Sequence, residues 1–293
     1  VDNEEGNMAQ IMNIPILFED ADLAVVNKAP GVVVNKASTV KEETIQDWWE
    51  ERLSKSVESK MTDWKQMVPA DFPHEYGTPE EIFAERGGVA HRLDKETSGV
   101  LVLAKNPGSL AHLLRQFRLR ETTKMYTCLV HGKFSILEDT VSLPLGRAAD
   151  NRTKFTVDAE GRAAETHYKV TTFYPQLDLD KVLQNPTDAA TKNIQNLRKK
   201  LQNAYQGFSL VQCWPKTGRT HQLRVHLSHL KHPIVADATY LGKKRQSFDA
   251  LWCPRLFLHA TTLEFTHPRT GERQKFSADI WPDLQTALEF LRQ

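Results

Sequence analysis

Charge of one sign is nowhere in excess: 38 Lys and Arg face 37 Asp and Glu, for a formal net charge of +1. A chain so balanced exerts no strong global pull on nucleic acid, and any such attraction must come from local patches. Cysteine is scarce. Cys128, Cys213 and Cys253 are far apart and odd in number, which argues against a disulfide framework and for a reducing compartment such as the cytoplasm. No apolar run approaches the roughly 20 residues that cross a bilayer, so no membrane association is expected. Residues 1–7 are polar and acidic and lack the apolar region of a signal peptide. There is no glycine-rich phosphate loop, no paired-cysteine metal motif and no HExxH helix. Neither a cofactor nor a metal is expected. No internal repeat or low-complexity tract appears. What remains is 293 residues of ordinary globular composition, enough for a substantial core.

Strands are expected at 16–18 and 23–26 around the turn Glu19 to Asp22, and again at Val32-Val33-Val34 after Pro30-Gly31. Thr39 and Glu42 have capping-box spacing. Ile45, Trp48, Trp49 and Leu53 follow at helical intervals. From Lys41 to Arg86 twelve acids stand against six bases. That stretch reads as a helix followed by a peripheral insertion that would face away from any RNA. Pro107 can open a helix with Leu110, Leu113, Leu114 and Phe117 on one face, leaving Arg115 and Arg118 outward. Further strands are expected at 100–104, 125–130, 165–172, 208–213, 257–265 and 274–278. Helices are expected at 188–205, where Arg198, Lys199 and Lys200 form a basic ridge, at 220–230, and at the end through Leu284, Leu288 and Leu291. Strands and helices intermix without a βαβ rhythm, which favours α+β over a doubly wound sheet.

Four segments concentrate chemistry-bearing residues. In Gly87-Gly88-Val89-Ala90-His91-Arg92-Leu93-Asp94-Lys95-Glu96-Thr97-Ser98-Gly99 an aspartate sits in a polar, glycine-flanked loop that runs into the apolar Val100-Leu101-Val102-Leu103. Alone, such an aspartate is a turn or capping residue. Lys124-Met125-Tyr126-Thr127-Cys128-Leu129-Val130 could be any half-buried strand. Lys216-Thr217-Gly218-Arg219-Thr220-His221-Gln222-Leu223-Arg224-Val225-His226-Leu227 could be an amphipathic helix with a solvated basic face. Yet four Lys or Arg and no acid lie between Gln212 and His232. Leu258-His259-Ala260, with His267-Pro268 after it, has no evident chemistry. His221, His226, His229 and His232 cluster, but no accompanying ligand set marks them as metal-binding.

Together these segments resemble the RluA-type pseudouridine synthases. The loop matches their HRLDxxTSG signature, the strand their K-x-Y-x-x-x-V segment, and the basic stretch their TGRTHQLRVH motif. His232-Pro233-Ile234-Val235-Ala236-Asp237 resembles their HPIxGD stretch, with Ala236 in place of the glycine. Leu258-His259-Ala260 matches their closing pattern. The likeness runs from about Ile16 to Ile280.

The resemblance implies an α+β pseudouridine synthase fold: a bent, mostly antiparallel mixed central sheet flanked by helices, with the active cleft across its middle. It implies an isomerase that detaches uracil from its ribose in tRNA or rRNA, turns it and rejoins it through C5, with no cofactor. Asp94 would be the catalytic carboxylate, Arg224 its partner, and Tyr126 would stack on the base or take the C5 proton. Burial favours a neutral carboxyl, and a neighbouring guanidinium opposes that. Arg92 would fill the space left by the extruded base, whose extraction costs about a few kcal/mol. His91, Thr97, Arg219 and Leu223 would complete the substrate site. Arg115, Arg118, Lys216, Lys243, Lys244 and Arg245 would neutralise phosphates.

Residues 16–293 are expected to form one catalytic domain with insertions at about 41–86 and 178–206, after a flexible extension at 1–15. Too few residues precede the first strand for the S4 RNA-binding module that many family members carry. A monomer is expected. Two other readings are a catalytically silent RNA-binding protein on the same fold and an aspartate-dependent glycoside hydrolase. The hydrolase would need a second carboxylate, for which Glu96 is the near candidate.

Overall fold

Asp20 makes the first turn: its Oδ1 accepts the N–H groups of Asp22 and Leu23 at 2.8 and 2.9 Å. The turn joins strand β1 (Ile16–Glu19) to β2 (Leu23–Lys28). In this computed structural model residues 14–55, 63–73, 75, 77–149, 151, 153–183 and 194–293 are described. Nearly all of the expected extension and the middle of the second insertion, residues 184–193, lie outside them. Helices α1 (Ile45–Lys55) and α2 (Pro79–Arg86) precede β3 (Ser98–Ala104), and α3 (Pro107–Leu119) leads into β4 (Thr123–His131). Then come β5 (Glu138–Ser142), the short pair β6 (Leu145–Arg147) and β7 (Phe155–Val157), and the long β8 (Glu165–Tyr174). After β9 (Gln176–Leu177), α4 (Leu179–Leu183) and α5 (Ile194–Ala204), β10 (Phe208–Pro215) runs up to α6 (Gln222–His229). The chain closes with α7 (Lys243–Asp249), β11 (Leu258–Thr266), β12 (Arg273–Ser277), α8 (Pro282–Leu288) and β13 (Leu291–Arg292).

The expected α+β class holds. The main sheet is ordered β1-β2-β3-β11-β4-β10-β8-β5, with β12 also on β11. All its pairings are antiparallel except β3 with β11. Period-2 alternation explains the apolar runs of β2 and β3. Leu23, Val25, Val100 and Val102 pack with Leu110 and Leu113 of α3. Ala24, Val26, Leu101 and Leu103 face the other way, onto Ile45 and Trp49 of α1. A second core lies under β4, β10, α6 and α8. Tyr126 packs against both this core and the α1 side of the first.

Several local expectations change. Val32 to Val34 form no strand because their carbonyls are taken elsewhere. Lys28 Nζ donates to Val32 O at 2.8 Å, and the first turn of α1 takes the other two, Ile45 N to Val33 O at 2.9 Å and Gln46 N to Val34 O at 3.0 Å. The box that starts α1 is Thr44 with Asp47, not Thr39 with Glu42: Thr44 N reaches Asp47 Oδ2 at 2.9 Å and Asp47 N reaches Thr44 Oγ1 at 3.1 Å. The stretch 41–86 is not simply peripheral. Trp49 is fully buried and donates to Ala104 O at 3.0 Å, and Met67, Phe72 and Ile82 are buried too. Leu291 belongs to a strand paired with Leu177 rather than to the last helix.

Candidate active site

The Asp94 loop is braced from behind. Leu93 is buried on the α1 side. Asp94 O accepts Thr97 N at 3.0 Å, closing a turn. Lys95 O accepts both Gly31 N at 2.9 Å and the ammonium of Lys28 at 3.0 Å. Lys28 is fully buried and also donates to Ala29 O and Val32 O. Burial pulls that ammonium down to about 7, against the raising effect of nearby Glu96. Where the loop enters β3, Gly99 has φ 117°, and a Cβ there would lie 2.2 Å from Ala260 O. Only glycine lets the parallel β3–β11 contact form.

Arg224 projects from α6 and is only 8% exposed. Its Nη1 lies 3.4 Å from Asp94 Oδ2. The closer partner is Asp237, fully buried, which takes Nε at 2.8 Å and Nη2 at 2.7 Å. Thr239 Oγ1 accepts Nη2 at 2.7 Å, and the guanidinium lies 5.2 Å from the centre of the Tyr240 ring. Two coplanar bonds to one carboxylate fix a guanidinium in orientation as well as charge. Asp94 thus meets a pre-aimed cation. His221 approaches the same oxygen, with Nε2 at 3.8 Å, and its Nδ1 lies 3.0 Å from Tyr240 Oη. Burial, then the charge of Arg224, holds this imidazole below its usual range. Asp94 Oδ1 has no hydrogen-bond partner among the described residues.

These groups wall a cavity at the middle of the sheet order, where β4 lies between β11 and β10. Asp94, Tyr126 and Arg224 all line it, as do Arg92, Thr97, Arg219 and Leu223. Among the described residues, Asp94 is the only carboxylate that lines it. Leu223 and Thr97 are buried, and the Thr97 hydroxyl has no partner among the described residues. Tyr126 is pushed up, by burial and then by the charge of Asp94, so it is a phenol at neutral pH.

Other expected site residues lie outside the Asp94 cavity, His91 in the wall of the trough beside it. The His91 ring turns inward. Its Nε2 accepts Val102 N at 3.2 Å and its face stacks on Phe117, centres 4.6 Å apart. Burial drives it down to about 3, so it is a neutral strut rather than a charged ligand of the Asp94 cavity. Arg115 is bound to both oxygens of Asp71 and to Glu121, because the stretch 41–86 folds back on α3. Lys243, Lys244 and Arg245 start α7 and line neither the Asp94 cavity nor the trough beside it. Glu96 does not line the cavity either. The clustered histidines are separately engaged: His226 with Thr166 and Leu143 O, His232 with His131 O. No helix among the described residues is long and apolar enough to cross a membrane.

Sequence reasoning missed the parts of Asp237, Tyr240, His221 and Lys28. Asp237 had a visible signal, being the first acid after a long basic stretch. The partner of Lys28 is a set of backbone carbonyls, which no side-chain pattern reveals.

The family model described as RNA pseudouridylate synthase matches residues 22–229. The chain is 31% identical over 286 residues to a Bacillus subtilis protein named as an uncharacterized RNA pseudouridine synthase, YlyB, a match covering 98% of this chain and 75% of that one. It is 32% identical over 292 residues to ribosomal large subunit pseudouridine synthase D of Zymomonas mobilis, covering 97% and 75%. Among solved structures, human RNA pseudouridylate synthase domain containing 1 shares the fold with a TM-score of 0.62 at 24% identity, over 94% of this chain and 88% of that one. The family match spans Asp94, Tyr126 and Arg224 alike, and the chain therefore belongs to the RluA-type RNA pseudouridine synthases, isomerases that convert uridine to pseudouridine.

Proposed function

We propose that this chain isomerises uridines of large-subunit ribosomal RNA, with Asp94 as the catalytic carboxylate. The observation that carries the site assignment is the aim of Arg224: clamped by Asp237, it meets one oxygen of Asp94 at 3.4 Å and leaves the other without a partner among the described residues. That second oxygen is available to the reacting nucleotide. In the isomerisation the N1–C1′ bond breaks, a C5–C1′ bond forms, C5 gives up a proton and N1 gains one. Nothing is oxidised. Asp94 promotes the departure of the base, and Arg224 sets a positive charge beside the carboxylate. Tyr126, a phenol in this environment, serves as the flat wall against which the detached uracil turns, with Leu223 beneath it. The Thr97 hydroxyl offers a hydrogen bond. Arg92, exposed at the cavity rim, fills the stack after extrusion. The protein acts as a cytoplasmic monomer, a placement to which its three free, buried thiols are suited.

The choice of ribosomal RNA rests on relatives named for the large subunit, including those of Zymomonas mobilis and Nitrosomonas europaea. A two-carboxylate hydrolase finds no support, since Asp94 is alone among the cavity's lining residues. The test is to incubate the protein separately with large-subunit rRNA and with bulk tRNA, each carrying tritium at uridine C5. Tritium release from the rRNA alone is expected. Release from tRNA alone would move the substrate, and release from neither would refute the activity.

A further inference from the structure

A trough of about 1080 Å³ opens beside the Asp94 cavity and shares with it Arg92, Lys124, Tyr126 and the turn Thr217 to Arg219. Arg92, Arg118, Arg120, Lys124, Lys216 and Arg219 line the trough, and no carboxylate among the described residues does. Two of these cations already have acidic partners: Lys216 meets Glu165 at 3.0 Å and Arg118 meets Asp71 at 3.7 Å. Arg92, Arg120, Lys124 and Arg219 have none among the described residues.

Lys124 is the most unusual of them. It is half-buried on β4, two residues before Tyr126 and so on the same face of the strand. Its ammonium makes neither a hydrogen bond nor an ion pair among the described residues. Burial, then the charge of Arg120, draws its ammonium down to about 8. A desolvated cation without a counter-charge is costly in a protein wall. Arg120 stands at the end of α3 with φ 61°, and its N–H caps the helix on Gln116 O and Phe117 O. Glycine is the usual residue for that left-handed position. Here the backbone instead holds a long cation at the mouth of the trough.

We propose that Lys124, backed by Arg120, binds a backbone phosphate adjacent to the target uridine, so that RNA reaches the Asp94 cavity along this trough. The inference rests on the pseudouridine-synthase reading of that cavity. Because Lys124 lines both spaces, an anion it holds lies one linkage from a base set against Tyr126. A lysine suits this task as a point charge that donates to phosphate oxygens from several directions. Arg115 and the run Lys243 to Arg245, which line neither space, do not share it.

The test compares the wild type with K124Q, K124R and, as a charge control outside both spaces, K275Q. Large-subunit rRNA tritiated at uridine C5 is the probe, with binding followed from low to high salt. K124Q is expected to weaken binding about tenfold and to flatten the slope of log affinity against log salt by about 0.7, the share of one single-strand phosphate. Its loss of rate should be larger at limiting than at saturating RNA, since phosphate contacts position rather than react. K124R should recover most of the affinity and K275Q should change nothing. Wild-type affinity and slope in K124Q would overturn the proposal, as would a lost rate with binding intact. If the wild type releases no tritium from any RNA, the reading of the Asp94 cavity fails, while the slopes still decide whether Lys124 meets a phosphate.

Discussion

Arg224 is gripped at three points, two on Asp237 and one on Thr239, before it reaches Asp94. Its longest polar contact, 3.4 Å, is the one to the carboxylate that the reaction uses. Asp237 thus sets where the guanidinium sits, and Asp94 borrows the result. We expect Asp237→Asn to lower kcat by roughly ten- to a hundredfold with little change in KM, because aim is lost rather than substrate contact. Breaking a fully buried pair should also cost about 3 kcal/mol of stability. Steady-state kinetics together with a denaturant titration check both parts. Unchanged kcat in a correctly folded variant would mean that Arg224 needs no such anchor.

At this scale the sequence conveyed much of the site. Asp94, Tyr126, Leu223 and Arg224 were legible because their motifs are long, and the structure brings all four to one cavity. His91 lines the neighbouring trough rather than the Asp94 cavity, since its motif carries residues that serve the loop as well as the substrate. Arg115 was misread because its partner Asp71 lies 44 positions away, and amphipathic spacing says only that a cation points outward, not what it meets there.

Among the elements, β11 is where the sheet divides. Its start pairs with β3 at His259 and Ala260, and its continuation from Thr262 pairs with β12. The parallel contact with β3 is only two residue pairs long and lies directly behind the Asp94 loop. Gly99 is its weak point, with Ala260 O at 2.2 Å from the site of a Cβ and a left-handed φ of 117°. Gly31 has φ 80° but open space around it. Gly99→Ala should therefore lose about 3 kcal/mol or more, from steric conflict with the backbone added to strain, while Gly31→Ala should lose about 1 kcal/mol from strain alone. Chemical denaturation of the two variants tests the difference. Equal losses would show that the β3–β11 approach is looser than its geometry.

Long, periodic elements such as β3, α3, β4, β8 and β10 were visible in the sequence because burial on defined faces imprints a period. The short pairs β6–β7 and β9–β13 left no such imprint. Val32 to Val34 show the opposite failure: a β-branched run whose carbonyls cap α1 and bind Lys28 instead of joining a ladder.

For the whole molecule, near-zero net charge and a substrate rich in phosphate are reconciled by placement. The acids of stretch 41–86 occupy cations on its own side, as Asp71 does Arg115. The trough next to Asp94 leaves four of its six Lys and Arg side chains without a carboxylate partner among the described residues. The cavity itself sits where two hydrophobic cores meet, with Tyr126 touching both. A seam between two packed bodies is a natural place for a pocket walled by rigid elements.

The most direct measurement is single-turnover release of tritium from rRNA labelled at uridine C5, comparing the wild type with Asp94→Asn while RNA affinity is recorded in the same preparations. The isosteric amide keeps the shape of the site and removes only the charge. Release should fall by at least about a thousandfold, roughly 4 kcal/mol of barrier, with affinity unchanged. Release at the wild-type rate from the amide variant would contradict the account at its centre.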